Sequence, residues 1–264
     1  MKLIAPTSKP IALKPTRPNA GIEADYRRRL HKLIEAMNES VLYWLSSSYK
    51  STGLAQDALP AKTMQTAMNK LVTQWQRNFD QGAKDLAQWF ADKNVGQSDR
   101  SMMSVLKQAG FVIDFTITEP MRDAQAAIIG ENVGLIRSIA QQYLTDVQGM
   151  VMRSVALGRD LHTLTNDLQK TYGVTRRRAS FIARDQNNKA TAVNTRTRQE
   201  QLGLTQAIWR HSSAGKVPRP SHVAASGEIY DIKKGMYLDG VWTFPGFQPN
   251  CRCFSQPVIP GFDN

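Results

Sequence analysis

The sequence is poor in cysteine. Its 264 residues contain two, Cys251 and Cys253, one residue apart near the C-terminus. Two cysteines cannot form the disulfide framework that stabilises small secreted proteins. A bridge between these two would close a small, strained ring, so we expect free thiols. The cysteine usage therefore predicts a protein of a reducing cytoplasm.

Long apolar runs are also missing. No stretch reaches the roughly 18 apolar residues that a membrane-spanning helix needs. Near the N-terminus, Pro6, Lys9 and Pro10 interrupt the place where a signal peptide would carry its apolar segment. The sequence therefore predicts neither a secretory signal nor a membrane association.

Acidic residues are in short supply. There are 22 acidic residues against 34 lysines and arginines, which gives a formal net charge of +12. Such an excess favours a polyanionic partner, either nucleic acid or an acidic protein surface. A basic surface that only faces solvent is the alternative, and charge alone does not separate the two.

The short motifs of common enzyme classes are absent as well. The chain has no P-loop, no dinucleotide-binding glycine pattern, no EF-hand and no His-Glu-x-x-His. A thiol–imidazole pair of Cys251 and His222, oriented by Asp231 or Asp239, is conceivable. No nucleophile elbow or oxyanion loop accompanies these residues. We therefore predict no catalytic activity, with a zinc- or thiol-dependent hydrolase as the weaker alternative.

The first 20 residues form a distinct segment. They contain four of the twelve prolines, four basic residues and no acidic residue. Proline fixes φ and removes a hydrogen-bond donor, which excludes a helix or an inner strand. We predict an extended basic arm that becomes ordered on a partner.

Residues 21–158 are predicted to form a helical domain. Apolar residues recur at spacings of three and four, as in Tyr26, Leu30 and Ile34. Separate helices are expected around residues 60–79, 83–91 and 99–109, with Ser98 as a cap and Gly110 as the end. Residues 111–118 are predicted to be extended, and Pro120 to open a long helix that Gly130, Gly134 and Gly149 kink.

Residues 159–264 are predicted to form a second domain. Helices are expected within 160–202, the first closed by Gly173 and the second capped by Thr175 and ended by Gly203. Residues 205–255 lose the helical period and are rich in glycine and proline, which predicts a loop-rich module with short strands. The expected fold class is α+β and predominantly α-helical.

Two groups of polar residues are candidate contacts to DNA or to a partner. The first is the run Arg27, Arg28 and Arg29, at the helix end that disfavours cations. The second is a stripe at spacings of three and four on one helix face, where guanidinium and amide groups suit phosphate: Arg184, Asn187, Thr191, Asn194 and Arg198. A solvated polar face is the alternative for both.

A third group is a candidate metal site. His211, His222, Cys251 and Cys253 offer two imidazoles and two thiolates, which is a donor set for tetrahedral zinc. The spacing follows no established zinc pattern. Buried thiols beside histidines that bind loop carbonyls are the alternative, and the expectation is no cofactor, with zinc as a possible one.

Several rarer residues recur in a recognisable order. Residues 182–187 read Ile-Ala-Arg-Asp-Gln-Asn and precede Asn194, Arg198 and Gly203. The later positions are Trp209, Arg219, His222, Gly227, Asn250, Cys251, Arg252 and Cys253. Over roughly residues 160–255 this order resembles the phage head-morphogenesis family, the Mu F-like group of minor capsid proteins. The chain departs from the family at Asp185-Gln186, where Thr-Glu is frequent, and at Gln248, where His is frequent.

The resemblance implies a minor head protein of a tailed phage or prophage. Its expected partners are a portal protein and a major capsid or scaffold protein, with double-stranded DNA as a further candidate. Its expected location is the virion head, after assembly in the host cytoplasm. A protein that binds or processes DNA with its basic face is the alternative.

Overall fold

The structure is a computed structural model that describes residues 10–51, 61–157, 161–213, 215 and 217–259. Within these ranges the helices are α1 (Ala20–Ser51), α2 (Ala61–Gln108), α3 (Glu119–Leu157), α4 (Leu161–Gln201) and α5 (Pro220–Ala224). The strands are β1 (Ile11–Ala12), β2 (Gln206–Arg210), β3 (Ile229–Asp231), β4 (Met236–Leu238), β5 (Val241–Thr243) and β6 (Phe254–Ile259). The predicted fold class, α+β and predominantly helical, is confirmed.

The long helices are more continuous than predicted. Helix α2 runs without a break through Ser98, which is buried inside it rather than capping a new helix. Helix α4 passes through Gly173, and the Thr175 hydroxyl donates to the carbonyl of Thr171 within the helix instead of capping an N-terminus. One glycine costs a helix only about 1 kcal/mol, which the packing of a long apolar face readily outweighs.

Two predicted helix ends are correct. Gly110 follows α2 with φ 90°, and Gly203 follows α4 with φ 73°. After α4, the amides of Gly203 and Leu204 donate to the carbonyls of Glu200 and Gln199, the hydrogen bonds of a Schellman motif. Glycine adopts this left-handed conformation without a Cβ penalty. None of the described helices combines the length and apolar character of a membrane span.

The chain divides into two compact units. One, here called the helical unit, comprises Ala24–Trp89 and Ile129–Ala183. The other, here called the C-terminal unit, comprises Met1–Glu23, Phe90–Ile128 and Arg184–Asn264. These units are discontinuous in sequence, whereas the predicted domains were continuous and divided at residue 158. A long helix can contribute one segment to each core, which a linear division of the sequence does not anticipate.

The helical unit has an apolar core with two polar links inside it. Its buried residues follow the predicted helical stripes and include Leu30, Ile34 and Tyr143. The hydroxyl of Tyr26 donates to Asn132 Oδ1 at 2.8 Å, and that of Tyr143 donates to Asn38 Oδ1 at 2.7 Å. Each buried phenol therefore has one amide acceptor.

The C-terminal unit contains both sheets. A four-stranded antiparallel sheet has the order β1-β6-β2-β3, and β4 and β5 form a separate hairpin. The core beneath them includes Leu106, Trp209 and Ile232 as well as both cysteines. Residues 111–118 form no strand, yet Phe111, Ile113 and Phe115 pack against this core on alternate positions, as the predicted extended segment requires.

Part of the N-terminal arm is ordered on the chain itself. In β1, Ile11 and Ala12 pair with Ile259 and Val258 at the edge of the sheet, where prolines are tolerated. Leu13 is buried in the core of the C-terminal unit, and the Arg17 guanidinium lies 4.8 Å from the ring centre of Phe254. The expectation that a partner orders the arm is therefore wrong for residues 10–19. Residues 1–9 of the predicted arm lie outside the described ranges.

Candidate functional site

The polar stripe of α4 is buried rather than exposed. Asn187, Asn194 and Arg198 each expose 1% or less, and Thr191 exposes 5%. The prediction that Asn187, Asn194 and Arg198 contact DNA or a partner is therefore wrong, because their side chains are enclosed by the C-terminal unit. Arg184 is half-buried.

An amide ladder joins α4 to the C-terminal part of α2. Asn94 Nδ2 donates to Asn187 Oδ1 at 3.1 Å and to Thr191 Oγ1 at 3.3 Å. Asn194 Nδ2 donates to Asn94 Oδ1 at 3.0 Å. Asn187 Nδ2 in turn donates to the carbonyl of Asn19 at 3.1 Å. The ladder satisfies most of these amide groups, which would otherwise be costly to bury, and Asn194 Oδ1 is its one atom without a hydrogen-bond partner among the described residues.

Arg198 is the most heavily bonded side chain of the stripe. Its Nε and Nη2 donate to the two carboxylate oxygens of Asp99, both at 2.7 Å. Its Nη1 donates to the Thr116 carbonyl at 2.7 Å, and the guanidinium lies 4.6 Å from the ring centre of Phe115. The arginine thus ties the end of α2 and the segment 111–118 to α4.

The segment that carries the cysteines is docked on α4 by its first residue. Asn250 has φ 59°, its amide donates to Asp185 Oδ1, and its side-chain oxygen accepts from Arg184 at 3.3 Å. Asn188 Nδ2 donates to the Cys251 carbonyl at 3.1 Å. Asparagine tolerates the left-handed conformation better than most residues, which accounts for its place before Cys251.

Cys251 and Cys253 lie on the same side of the chain. They expose 3% and 5% of their surface, whereas Arg252 between them is half-buried. This alternation is that of an extended segment, in which residues two apart share a face. The segment therefore presents both thiols on one face.

Two histidines from other elements meet these thiols. His222 lies in α5 and exposes 2%, and His211 directly follows β2. His222 Nδ1 lies 3.4 Å from Cys251 Sγ and 3.7 Å from Cys253 Sγ, and His211 Nδ1 lies 3.7 Å from Cys253 Sγ. The structure thus brings together the four residues that the sequence proposed as metal ligands.

The two thiols differ in acidity. A hydrogen bond from Cys253 lowers the pKa of Cys251 to about 5, with further help from the Gly246 amide and from His222. The same hydrogen bond, together with burial, raises the pKa of Cys253. One proton shared between the two sulfurs accounts for the opposite directions. Cys251 is therefore the sulfur that carries negative charge first.

Trp209 and Gly227 support the cluster from the sheet. Trp209 is fully buried, and its ring centre lies 5.1 Å from that of His222 in an edge-to-face arrangement. The Gly227 amide donates to the Trp209 carbonyl at 2.8 Å, in a turn where Gly227 has φ 103°. Arg219 also belongs to this region, because its guanidinium donates to the Pro249 carbonyl at 2.9 Å.

The cluster opens into a basic cleft of about 410 Å³. Three half-buried arginines, Arg184, Arg219 and Arg252, line it together with the cysteines and histidines. The combination of guanidinium groups with a concave surface suits an anionic group.

The acid expected for a thiol–imidazole triad is not beside His222. Asp231 accepts from the amides of Lys233 and Lys234, and Asp239 accepts from the Ser221 hydroxyl at 2.7 Å. Among the described residues, His222 Nε2 is buried without a hydrogen-bond partner. The imidazole is therefore oriented towards the thiols and not by either of the two proposed carboxylates.

The arginine run lies in the helical unit and is exposed. Arg28 pairs with Asp25, and the Arg29 guanidinium lies 4.2 Å from the ring centre of Trp89. Arg27 is also exposed. The contact of Arg27, Arg28 and Arg29 with DNA or a partner stays a prediction.

Sequence reasoning missed Asn94, Asp99 and Asp185. Asn94 and Asp99 bond α4 from positions about 100 residues away in sequence. No local pattern separates them from ordinary surface residues of α2. Asp185 was noted as a departure from the family pattern, and that departure could have drawn attention to its hydrogen bond with the Asn250 amide.

Comparisons with known proteins agree with the motif. Residues 145–255 match the model of the family described as Phage Mu protein F like protein. An uncharacterized protein of Haemophilus influenzae is 29% identical over 260 residues, which cover 93% of this chain and 55% of that protein. The chain thus spans about half the length of this curated relative. No solved structure matches. The match over residues 145–255 confirms the resemblance to the Phage Mu F-like family that the order of residues from Arg184 to Cys253 predicted.

Proposed function

We propose that this protein is a minor head protein of a tailed phage or prophage and acts in head morphogenesis. The observation that carries the proposal is the family match over residues 145–255, which includes α5, the strands β2 to β5 and the cysteine segment. The proposed partners are a portal protein and a major capsid or scaffold protein, and the proposed location is the virion head.

The roles of the motif residues support assembly rather than catalysis. Arg198 and Asn194 join helices, Asn250 docks a loop, and Trp209 fills the core. Each of these contacts stabilises one conformation of the C-terminal unit. A family pattern made of such residues fixes the conformation of the C-terminal unit. A protein that packs into a shell needs a fixed surface for its neighbours to contact.

The test is deletion of the gene from the phage or prophage that carries it. We expect empty, aberrant or non-infectious heads, restored when the full chain is supplied from a plasmid. The chain should also be found in purified particles by mass spectrometry. Normal infectious titre without the gene, together with particles that never contain the chain, would contradict the proposal.

DNA binding is the second candidate, favoured by the net charge of +12 and by the exposed run Arg27, Arg28 and Arg29. Binding of duplex DNA to the full chain should weaken steeply as salt is added, because each neutralised phosphate releases counterions. Replacing all three arginines by Ala should reduce the magnitude of the salt slope by about 3 if each contacts a phosphate.

A matched control removes the same charge elsewhere in the helical unit. Lys70, Arg77 and Lys84 are exposed on α2, and their triple Ala variant lowers the net charge equally. Equal losses in the two variants would show that only overall charge matters. Absence of binding at low salt would remove this candidate function.

A further inference from the structure

We propose that His211, His222, Cys251 and Cys253 hold one zinc ion that fastens the C-terminal unit. The inference concerns the stability of the fold and stands whether or not the protein acts in a phage head. It is argued from the donor atoms, their separations and their surroundings.

The donors converge on one point. The Nδ1 atom of His222 and the sulfurs of Cys251 and Cys253 all lie within 4.8 Å of one another, and all three residues are buried. A single ring nitrogen makes one hydrogen bond, yet two sulfurs face it at 3.4 and 3.7 Å. A cation between the three atoms would replace these shared contacts and bind all three donors at once.

The separations are those of a tetrahedron around zinc. With Zn–S of about 2.3 Å and Zn–N of about 2.0 Å, a sulfur and a nitrogen ligand lie about 3.5 Å apart. The measured Sγ–Nδ1 distances are 3.4 Å for Cys251 with His222, and 3.7 Å for Cys253 with either His222 or His211. His211 is half-buried, lines the cleft and contacts Cys253 Sγ, and its side chain would complete the fourth corner by moving closer to Cys251 and His222.

The surroundings suit a thiolate-ligated metal. The Gly246 amide lies 3.4 Å from Cys251 Sγ and donates to it, which is the kind of outer contact that orients a ligand sulfur. Gly246 has φ 84°, and a Cβ there would lie 3.0 Å from the Cys253 carbonyl oxygen. Binding through Nδ1 also leaves the proton of His222 on its buried Nε2, beside Trp209.

The ion would join three segments that have little regular structure between them. His211 follows β2, His222 lies in the five-residue helix α5, and the cysteines precede β6. Four protein ligands close the coordination sphere, which is typical of a structural rather than a catalytic zinc site. Because such a site is absent from the unfolded chain, metal binding stabilises the folded state.

The first measurement is the metal content of the full chain, purified under reducing conditions with zinc in the medium. We expect about one zinc ion per chain. X-ray absorption at the zinc edge should fit two sulfur ligands at about 2.3 Å and two nitrogen ligands at about 2.0 Å. Cobalt(II) in place of zinc should give the strong visible absorption of a tetrahedral thiolate site and be displaced by zinc.

Variants assign the ligands. The double variant Cys251→Ser with Cys253→Ser should retain less than about a tenth of the zinc of the parent chain. His211→Ala should still bind zinc, with an affinity at least about tenfold lower and one nitrogen ligand fewer in the absorption spectrum. His162→Ala, on an exposed residue of the helical unit, is the matched control and should retain one zinc ion.

The wild-type chain keeps the proposal falsifiable even where a variant fails to fold. A chelator should lower the melting temperature of the parent chain, and added zinc should restore it. A parent chain that is folded and purifies with no zinc, and that gains neither zinc nor stability when zinc is added, would overturn the proposal. So would a spectrum with only oxygen and nitrogen ligands.

Discussion

The helical unit and the C-terminal unit bury polar groups in different ways. In the helical unit, two phenols each bond one amide inside an apolar core. In the C-terminal unit, the segment of α4 from residue 184 to residue 199 is buried or half-buried at every position, although most of its residues are polar. Several of its side chains form hydrogen bonds with Asn94, Asp99 and the Asn250 segment.

The comparison shows when polarity in a sequence indicates a surface. In the helical unit it mostly does, because apolar stripes form most of the core and buried polar side chains such as Asn38 and Asn132 are exceptions. In the C-terminal unit it does not, because an amide or guanidinium with enough partners can occupy the interior. The expected costs of removing single groups therefore differ between the two units.

Removing the Arg198 side chain should have the largest effect. Arg198→Ala leaves Asp99, whose side chain is 18% exposed, without its bidentate partner and should reduce the free energy of unfolding by about 3–5 kcal/mol. Chemical denaturation of the full chain measures this loss. Arg198→Lys, which keeps the charge but loses the fork, should be intermediate.

Arg177→Ala is the control for this comparison. Arg177 is exposed on the same helix, and its loss should change stability by no more than about 0.5 kcal/mol. If Arg198→Ala destabilised the protein no more than Arg177→Ala, the buried ion pair would not be what secures α4.

Interrupting the amide ladder should have an intermediate effect. Asn94→Ala removes the acceptor of Asn194 and the donor to Asn187. The two buried amides then lose these partners, which should reduce the free energy of unfolding by about 1–3 kcal/mol. Asn78→Ala, at an exposed position of the same helix, is the matched control. Equal denaturation midpoints for the two variants would show that the ladder contributes little.

Removing a phenol hydroxyl of the helical unit should have the smallest effect on stability. Tyr143→Phe keeps the ring and removes one hydrogen bond to Asn38, which should cost about 0.5–1.5 kcal/mol. Tyr43→Phe is the control, because the Tyr43 side chain is exposed and its change should be neutral. A loss as large as that of Arg198→Ala would contradict the distinction between the units.

The candidate site was only partly predictable. The sequence identified all four proposed ligands, because two cysteines and two histidines in the predicted loop-rich module are few enough to notice. It could not show that His211 and His222 both reach Cys253 Sγ, since the residues lie in segments up to 42 positions apart. For the α4 stripe the error was different. The sequence correctly placed these polar residues on one helix face, but that face was predicted to be exposed and is buried.

By itself, the sequence determined the fold class, the helical stripes of the helical unit, the ends at Gly110 and Gly203, and the resemblance of residues 145–255 to the Phage Mu F-like family. These follow from local periodicity, from glycine conformation and from the order of rare residues. Only the tertiary structure decided which polar residues are interior and that His222, Cys251 and Cys253 meet at one point with His211 beside them. The reason is physical: whether a polar side chain can be buried depends on partners supplied by other parts of the chain, and local sequence carries no record of them.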